Sequence, residues 1–344
     1  MKNKIPVLCL ISVMSVFLLS GCNGSNAASE SSGQSSSIPS ETNAVSLPKN
    51  IEIQVPAKAG GGTDVMARTI SQEIASVSGS NLTIINNMDG AGVVAMETVR
   101  TAAGDGSKIL QYHSSMLINS ATGIYDKNVF DDFKIIGVSQ GTEKAMFVLV
   151  TSAASKMDTL DKFIEYGLAN EVKMGVQTGG SMHIASGIIA RETGINAKYV
   201  EAGSDTEKLT ALVGGTIDCC LVNVNQARQY VESGKAYGIA VVTNGEEGAH
   251  STILPDIKSF QDYGYDVVFT TMNIIAGPKD MSEDVALRLY DLYSAAAGSD
   301  AVNEVLEPAG MAMEFYGYEE GPVKLKEQAD TINALVEELG LSKQ

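Results

Sequence analysis

Cysteine and histidine are scarce, with four and three copies in 344 residues. Cys9 falls in the apolar run that opens the chain and Cys22 just after it, so only the neighbours Cys219 and Cys220 remain and a disulfide framework is excluded. Within Ile217-Asp218-Cys219-Cys220-Leu221-Val222 the two read as small buried strand residues, with a strained vicinal disulfide as the alternative. His113, His183 and His250 are too few for a three-histidine metal site, and neither metal nor cofactor is expected. Positive charge is also short: 24 Lys and Arg stand against 41 Asp and Glu, a net charge of -17 that argues against nucleic acid. The same acidity works against long-range attraction of an anion, so a site for one must rely on local dipoles. No apolar run beyond residue 19 is long enough to span a membrane, and no repeat of fixed period is visible.

What is present begins with Lys2, Lys4 and an apolar run over 5–19, the layout of an export signal covering 1–21. Leu19-Ser20-Gly21-Cys22 resembles the bacterial lipobox, which implies acylation of Cys22 and a lipid anchor holding the chain outside the cytoplasm on the bacterial cell membrane. Residues 22–46 carry almost no large apolar side chains and are expected to form a disordered tether. The rest, roughly 300 residues, suffices for two lobes with separate cores.

Short apolar strands alternate with amphipathic helices, the mark of α/β layering with a mainly parallel sheet. Strands are expected at 51–55, 82–86, 109–112, 145–151, 173–176, 198–201, 219–224, 237–242 and 267–276. Met66, Ile70 and Ile74 recur every four residues and give the first helix one buried stripe, with Thr63 or Asp64 as its cap. The strands at 145–151 and 267–276 divide the chain into one lobe of 47–150 plus 271–344 and another of 151–270. Two such crossings permit a hinge and a cleft between the lobes.

The most informative segment runs from Ile51 to Arg68, where an alternating strand enters Gly60-Gly61-Gly62 and leaves as a helix. Glycines let the main chain bring its N–H groups to a ligand, and the helix start adds unpaired donors and a positive dipole end. The spacing matches neither Gly-x-x-x-x-Gly-Lys-Ser/Thr nor a dinucleotide fingerprint, which leaves a nest for a carboxylate or other small anion, with a simple tight turn as the alternative. A second loop, Asn86-Asn87-Met88-Asp89-Gly90-Ala91-Gly92, follows the next strand, and two such loops on neighbouring strands converge on one crevice. Tyr112-His113-Ser114-Ser115, at the end of the strand 109–112, is placed to line the cleft, with a satisfied loop histidine as the alternative for His113. Asp64 reads equally as a first-turn residue complementing the dipole and as a ligand contact, and Arg68 as its i+4 partner. Gly179-Gly180-Ser181-Met182-His183 narrowly misses the Gly-x-Ser-x-Gly elbow, which keeps a secreted serine hydrolase open as an alternative.

Val55-Pro56-x-x-Ala59-Gly60-Gly61-x-x-Asp64-x-x-Ala67-Arg68, then Asn86-x-x-x-Gly90-Ala91-Gly92, then Ala103-x-Asp105-Gly106, resembles the solute receptors of tripartite tricarboxylate transporters, the Bug family. The likeness continues through Asp132 to Gly137, Gly179 to Ala185, Leu212 to Asp218 and Ala276-Gly277-Pro278. It implies a two-lobed α/β fold of the periplasmic-binding-protein kind (type II), with a hinge and an interlobe cleft. It implies capture of a small carboxylate-containing solute and its delivery to the large and small membrane subunits of a permease, without catalysis. A tethered receptor working alone, as a monomer, is the default expectation. Carried over by position, Ala59, Gly60, Gly61, Gly62, Thr63 and Asp64 with Gly90, Ala91 and Gly92 hold the proximal carboxylate. Thr178, Gly179, Gly180, Ser181 and His183, with Ala202, Gly203 and Asn223, set selectivity from the other lobe. One departure stands out: the family's Pro-Tyr-x-Gly is replaced by Val200-Glu201-Ala202-Gly203, and Glu201 would repel a dianion. That favours a monocarboxylate, or a ligand with an amine or neutral distal end. A lipoprotein that senses its ligand for a signalling partner is the other alternative.

Overall fold

The computed structural model describes residues 45–141, 145–309, 311 and 313–342. The export signal, Cys22 and all but the last residues of the tether lie outside the described residues.

The first sheet begins with β1 (Asn50–Val55), α1 (Gly62–Ser78), β2 (Asn81–Asn86), α2 (Val93–Arg100) and β3 (Lys108–His113). It continues through α3 (Ser115–Ala121), α4 (Val129–Asp132) and β4 (Phe133–Gly141). The second sheet takes β5 (Ala145–Ser152), α5 (Leu160–Ala169), β6 (Glu171–Val176), α6 (Ser181–Thr193) and β7 (Asn196–Glu201). It is completed by α7 (Asp205–Val213), β8 (Cys219–Asn223), α8 (Val224–Glu232) and β9 (Ala236–Thr243). The chain then returns to the first sheet through β10 (Met272–Pro278), α9 (Glu283–Ala297), α10 (Asp300–Leu306), β11 (Met313–Phe315) and α11 (Glu320–Glu338).

Strand order is β11-β4-β10-β3-β1-β2 in one sheet and β7-β6-β8-β5-β9 in the other. Each sheet is mixed, which corrects the expectation of mainly parallel pairing. β1 runs parallel to β2 and β3, and β6 parallel to β7 and β8. β10 is antiparallel to β3 and β4, and β5 is antiparallel to β8 and β9. β5 and β10 are the strands by which the chain passes from one sheet to the other, so they enter from the opposite end, and the short edge strand β11 is also antiparallel to its neighbour β4. A topological repeat follows that no sequence period announces: β2-β1-β3-β10 in one sheet has the same directions as β7-β6-β8-β5 in the other.

Sheet membership starts the second sheet at Ala145, where the sequence division placed 145–150 in the first lobe. The expected strand at 267–276 is also split, because Val268 bridges to Thr243 of β9 while pairing with β3 and β4 begins only at Met272 and Asn273. β4 and β11 fall outside the expected strands. Gly137, Ser139, Gln140 and Gly141 blur the alternation of β4, and β11 has only three residues.

Helix α1 shows how the pattern turns into packing. Ala67, Ile70 and Ile74 are fully buried against Ile51, Ile53 and Val55, and burying an isoleucine side chain stabilises by about 1.5–3 kcal/mol. Met66, expected in that stripe, is only partly buried and faces a cavity. The cap is Gly61, in extended conformation with no side-chain bond, in place of Thr63 or Asp64, and Gly79 in left-handed conformation ends the helix. A second core joins the sheets: Leu325, Ala329, Ile332 and Val336 of α11 belong to one cluster with Met116 of α3 and Ile184 and Ile188 of α6. Cys219 and Cys220 are free thiols buried in β8, in line with the strand reading. Among the described residues no helix is long and apolar enough to cross a membrane.

Candidate functional site

A cavity of about 450 Å³ opens where the carboxyl ends of the parallel strands of both sheets meet. From the first sheet come Pro56, Ala57 and Lys58 after β1, Gly62, Thr63 and Met66 at the start of α1, and Tyr112, His113 and Ser115 at the end of β3. From the second come Gln177, Gly180, Ser181 and Met182 around the start of α6, Glu201 and Gly203 after β7, and Asn223 at the end of β8.

The two helix starts are built alike. After β1, Gly60 has φ 79° and its N–H donates to Asp64 Oδ2 at 2.8 Å, while Gly61 N–H donates to Lys58 O at 2.9 Å. After β6, Gly179 has φ 75° and its N–H donates to His183 Nδ1 at 3.2 Å, while Gly180 N–H donates to Gln177 O at 2.9 Å. Positive φ at Gly60 and Gly179 is the feature that demands glycine in both turns. The N–H groups of Gly60, Gly61, Gly179 and Gly180 are therefore engaged inside their own loops. Donors at the cavity are instead the first-turn amides ahead of the bonds Val65 to Gly61 (2.9 Å) and Ile184 to Gly180 (3.3 Å), those of Gly62 and Thr63 in α1 and of Ser181 and Met182 in α6. Both helices turn the positive end of their dipoles toward one space.

Asp64 lies outside the wall. Burial alone would raise its pKa, but bonds from Arg68 Nε (3.0 Å), Gly60 N–H and Asn86 Nδ2 (2.8 Å) outweigh burial and hold the carboxyl below its ordinary range. Arg68 also donates to Asn86 Oδ1 at 2.8 Å, so the pair ties α1 to the end of β2. The second glycine loop is likewise support. Gly90, Ala91 and Gly92 all have positive φ, and Ala91 O accepts from Tyr112 Oη (3.1 Å) and Asn119 Nδ2 (2.8 Å). A Cβ at Gly92 would stand 2.8 Å from Pro56 Cβ and 2.9 Å from Tyr112 Oη, so the loop braces two wall residues without lining the cavity, which Met88 does.

His113 lines the wall, half-buried, and desolvation pushes its pKa down to about 4, leaving it neutral near pH 7. Its Nδ1 accepts from Ser115 N–H at 3.2 Å, which assigns the proton to Nε2 and makes the ring a neutral donor. Ser114 is fully buried and not in the wall; its Oγ donates to Gln328 Oε1 (2.8 Å) and accepts from Met272 N–H (2.8 Å), clasping β3, α11 and β10.

On the far side Ser181 Oγ is buried with no hydrogen-bond partner among the described residues, and it lines the cavity. His183 sits behind it, edge-on to Tyr199 at 4.7 Å, its pKa lowered by burial against the opposing pull of Glu201. Glu201 accepts from Thr178 N–H (2.8 Å) and Gly203 N–H (3.1 Å). Those bonds overcome the burial that would raise its pKa and keep it a carboxylate. Lys208, 1% exposed, reaches Asp205 Oδ1 (2.8 Å), Leu221 O and Met182 Sδ (both 2.7 Å). Across the mouth Lys58 pairs with Glu207 at 3.1 Å.

Of the residues singled out from sequence, Gly62, Thr63, His113, Gly180, Ser181, Gly203 and Asn223 share the wall. Ala59, Gly60, Gly61, Asp64, Gly90, Ala91, Gly92, Ser114, Thr178, Gly179, His183 and Ala202 stand behind or beside it. Sequence reasoning missed Lys58, Lys208 and five methionines, Met66, Met88, Met146, Met182 and Met311. The available signal was the methionine count, 14 in the chain, several within or beside the quoted motifs. Among the described residues no group of three or more His, Cys, Asp or Glu is placed to hold a metal ion.

A family model described as the tripartite tricarboxylate transporter family receptor matches residues 66–341. A UPF0065 protein from the gbd 5' region of Cupriavidus necator is 23% identical over 310 residues, covering 89% of this chain and 92% of that one. The solved structure of the periplasmic binding protein BugD superposes with a TM-score of 0.73 at 19% identity, covering 86% of this chain and 99% of that one. Rpa4515 of R. palustris, solved with adipate, gives 0.72 at 18% identity, covering 85% and 97%. These likenesses confirm the two-lobed α/β architecture of periplasmic binding proteins, and the match over 66–341 shows that this chain belongs to the tripartite tricarboxylate transporter receptor family.

Proposed function

We propose that this chain is an extracytoplasmic solute receptor, lipid-anchored through Cys22, that captures a small carboxylate-bearing solute and hands it to the large and small membrane subunits of a permease. The observation that carries this reading is the opening of two helix N-termini, α1 and α6, onto one cavity whose walls come from both sheets. The amides of Gly62 and Thr63 seat a carboxylate, His113 adds a neutral Nε2–H donor, and Ser181, Gly180, Gly203 and Asn223 face the other end. The remaining loop residues, from Ala59 to Gly61, Gly90 to Gly92, and Thr178 with Gly179, keep those groups in place. The lobes follow the sheets and close by hinge motion over the solute, and the chain acts as a monomer.

No catalytic step is proposed. Ser181 Oγ has no histidine partner among the described residues, and His183 Nδ1 already accepts from Gly179, so the nucleophile and base arrangement of a hydrolase lacks support. Screening organic acids by thermal shift tests the reading: one class at a hundred times its Kd is expected to raise the melting temperature by roughly 4 °C. A flat response across carboxylates would remove the proposal.

A further inference from the structure

We infer that the solute is a monocarboxylic acid with an apolar body, not a di- or tricarboxylate. The inference rests on the carboxylate-receptor reading above and concerns what occupies the rest of the cavity. Five methionines, Met66, Met88, Met146, Met182 and Met311, come to the wall from five separate segments, together with Phe147. Each of the five is only partly buried, so its side chain has surface to offer to the space it lines. Thioethers are apolar, polarisable and unbranched, and a wall of them fits an aliphatic or aromatic body while accommodating its shape.

Charge on the wall points the same way. Of its two cations, Lys208 is enclosed by Asp205, Leu221 O and Met182 Sδ, while Lys58 pairs with Glu207 (3.1 Å) at the exposed mouth, where solvent screens its charge. Neutral His113 adds none. Against them stand Asp205, balanced by Lys208, and Glu201, held by Thr178 and the Gly203 amide with no Lys or Arg paired to it among the described residues. A second carboxylate at the α6 end would meet the full charge of Glu201, opposed only by a helix dipole worth about half a charge. A neutral terminus meets no such repulsion. The α1 end differs, because its acid, Asp64, is neutralised by Arg68 and faces away from the cavity. The carboxylate therefore sits at α1 and the apolar body extends toward α6.

Three six-carbon acids separate the readings: hexanoate, adipate and 6-aminohexanoate share one carboxylate and differ only at the far end. Calorimetric titration of the full mature chain is expected to show hexanoate binding at least tenfold tighter than adipate, with 6-aminohexanoate, whose ammonium Glu201 attracts, binding more tightly than adipate. Affinity is expected to rise about fourfold per methylene from butyrate to hexanoate. Met88→Gln lowers hexanoate affinity several-fold at unchanged melting temperature, and Met88→Leu restores it. Glu201→Gln narrows the gap between hexanoate and adipate. Adipate binding as tightly as hexanoate, or 6-aminohexanoate binding no better than adipate, overturns the inference and leaves the carboxylate receptor intact. Binding of other carboxylates with none of the three does the same. Failure of every carboxylate, in this trio and in the wider thermal-shift panel, removes the receptor reading itself.

Discussion

Replacing Gly62 with valine is expected to weaken solute binding by about a hundredfold or more while the unliganded protein melts within a few degrees of the parent. Gly62 is the first residue of α1 and lines the cavity. Its φ is not in the left-handed range, and an added Cβ meets only Met311 Sδ at 3.6 Å, an ordinary contact. The branched side chain therefore adds bulk beside the amides of Gly62 and Thr63, in the space a carboxylate would need, without disturbing the loop. A hydrogen bond to a charged group is worth about 1.5–3 kcal/mol, so losing one or two accounts for the expected weakening. Gly92→Val is a poor substitute. That residue has φ 88° and its Cβ would press into Pro56 and Tyr112, so lost binding there would report damage to the scaffold. Normal binding by Gly62→Val in calorimetric titration would move the carboxylate away from the start of α1.

The second large effect concerns Lys208. Lys208→Met keeps the length of the side chain but leaves the Asp205 carboxylate, 19% exposed, without its cation and Leu221 O without its donor. Removing one partner of a buried ion pair costs about 3–5 kcal/mol. A fall in melting temperature of roughly 5–8 °C is expected on that basis. Adding Asp205→Asn, which removes the stranded charge and still accepts from Asn223 N–H (2.9 Å in the parent), is expected to recover at least half of the loss. Scanning calorimetry checks both. A single variant that melts like the parent, or a double variant no better than the single one, would show that the pair does not stabilise this wall.

Much of the site was legible because glycine, helix starts and strand ends obey local rules. Gly60-Gly61-Gly62 after an alternating strand announced a backbone turn into a helix, and Gly179-Gly180 repeated it in the second sheet. What stayed hidden depends on partners distant in sequence. Which amides remain free was decided by Asp64 and His183, each bonding back to a glycine four residues earlier, and the glycine pattern alone does not reveal such bonds. Ser114 and Ser115 look alike in sequence, yet one is clasped by Gln328 of α11 and the other reaches the cavity. Lys208 reads as a solvated helix residue until Leu221 and Asp205 are brought round it. The methionine wall is assembled from five segments, and Met66 sits at a spacing that fits a core stripe equally well. Mixed pairing was missed for a related reason: strand direction depends on how the chain crosses between sheets, which periodicity does not encode.

The most direct test of the central claim is a crystal structure of the protein with the tightest-binding acid from the thermal-shift panel. One carboxylate oxygen is expected within about 3.2 Å of the Gly62 or Thr63 amide nitrogen, with the body of the acid against Met66 and Met146. A carboxylate seated beside Glu201, or bound outside the space between α1 and α6, would contradict it.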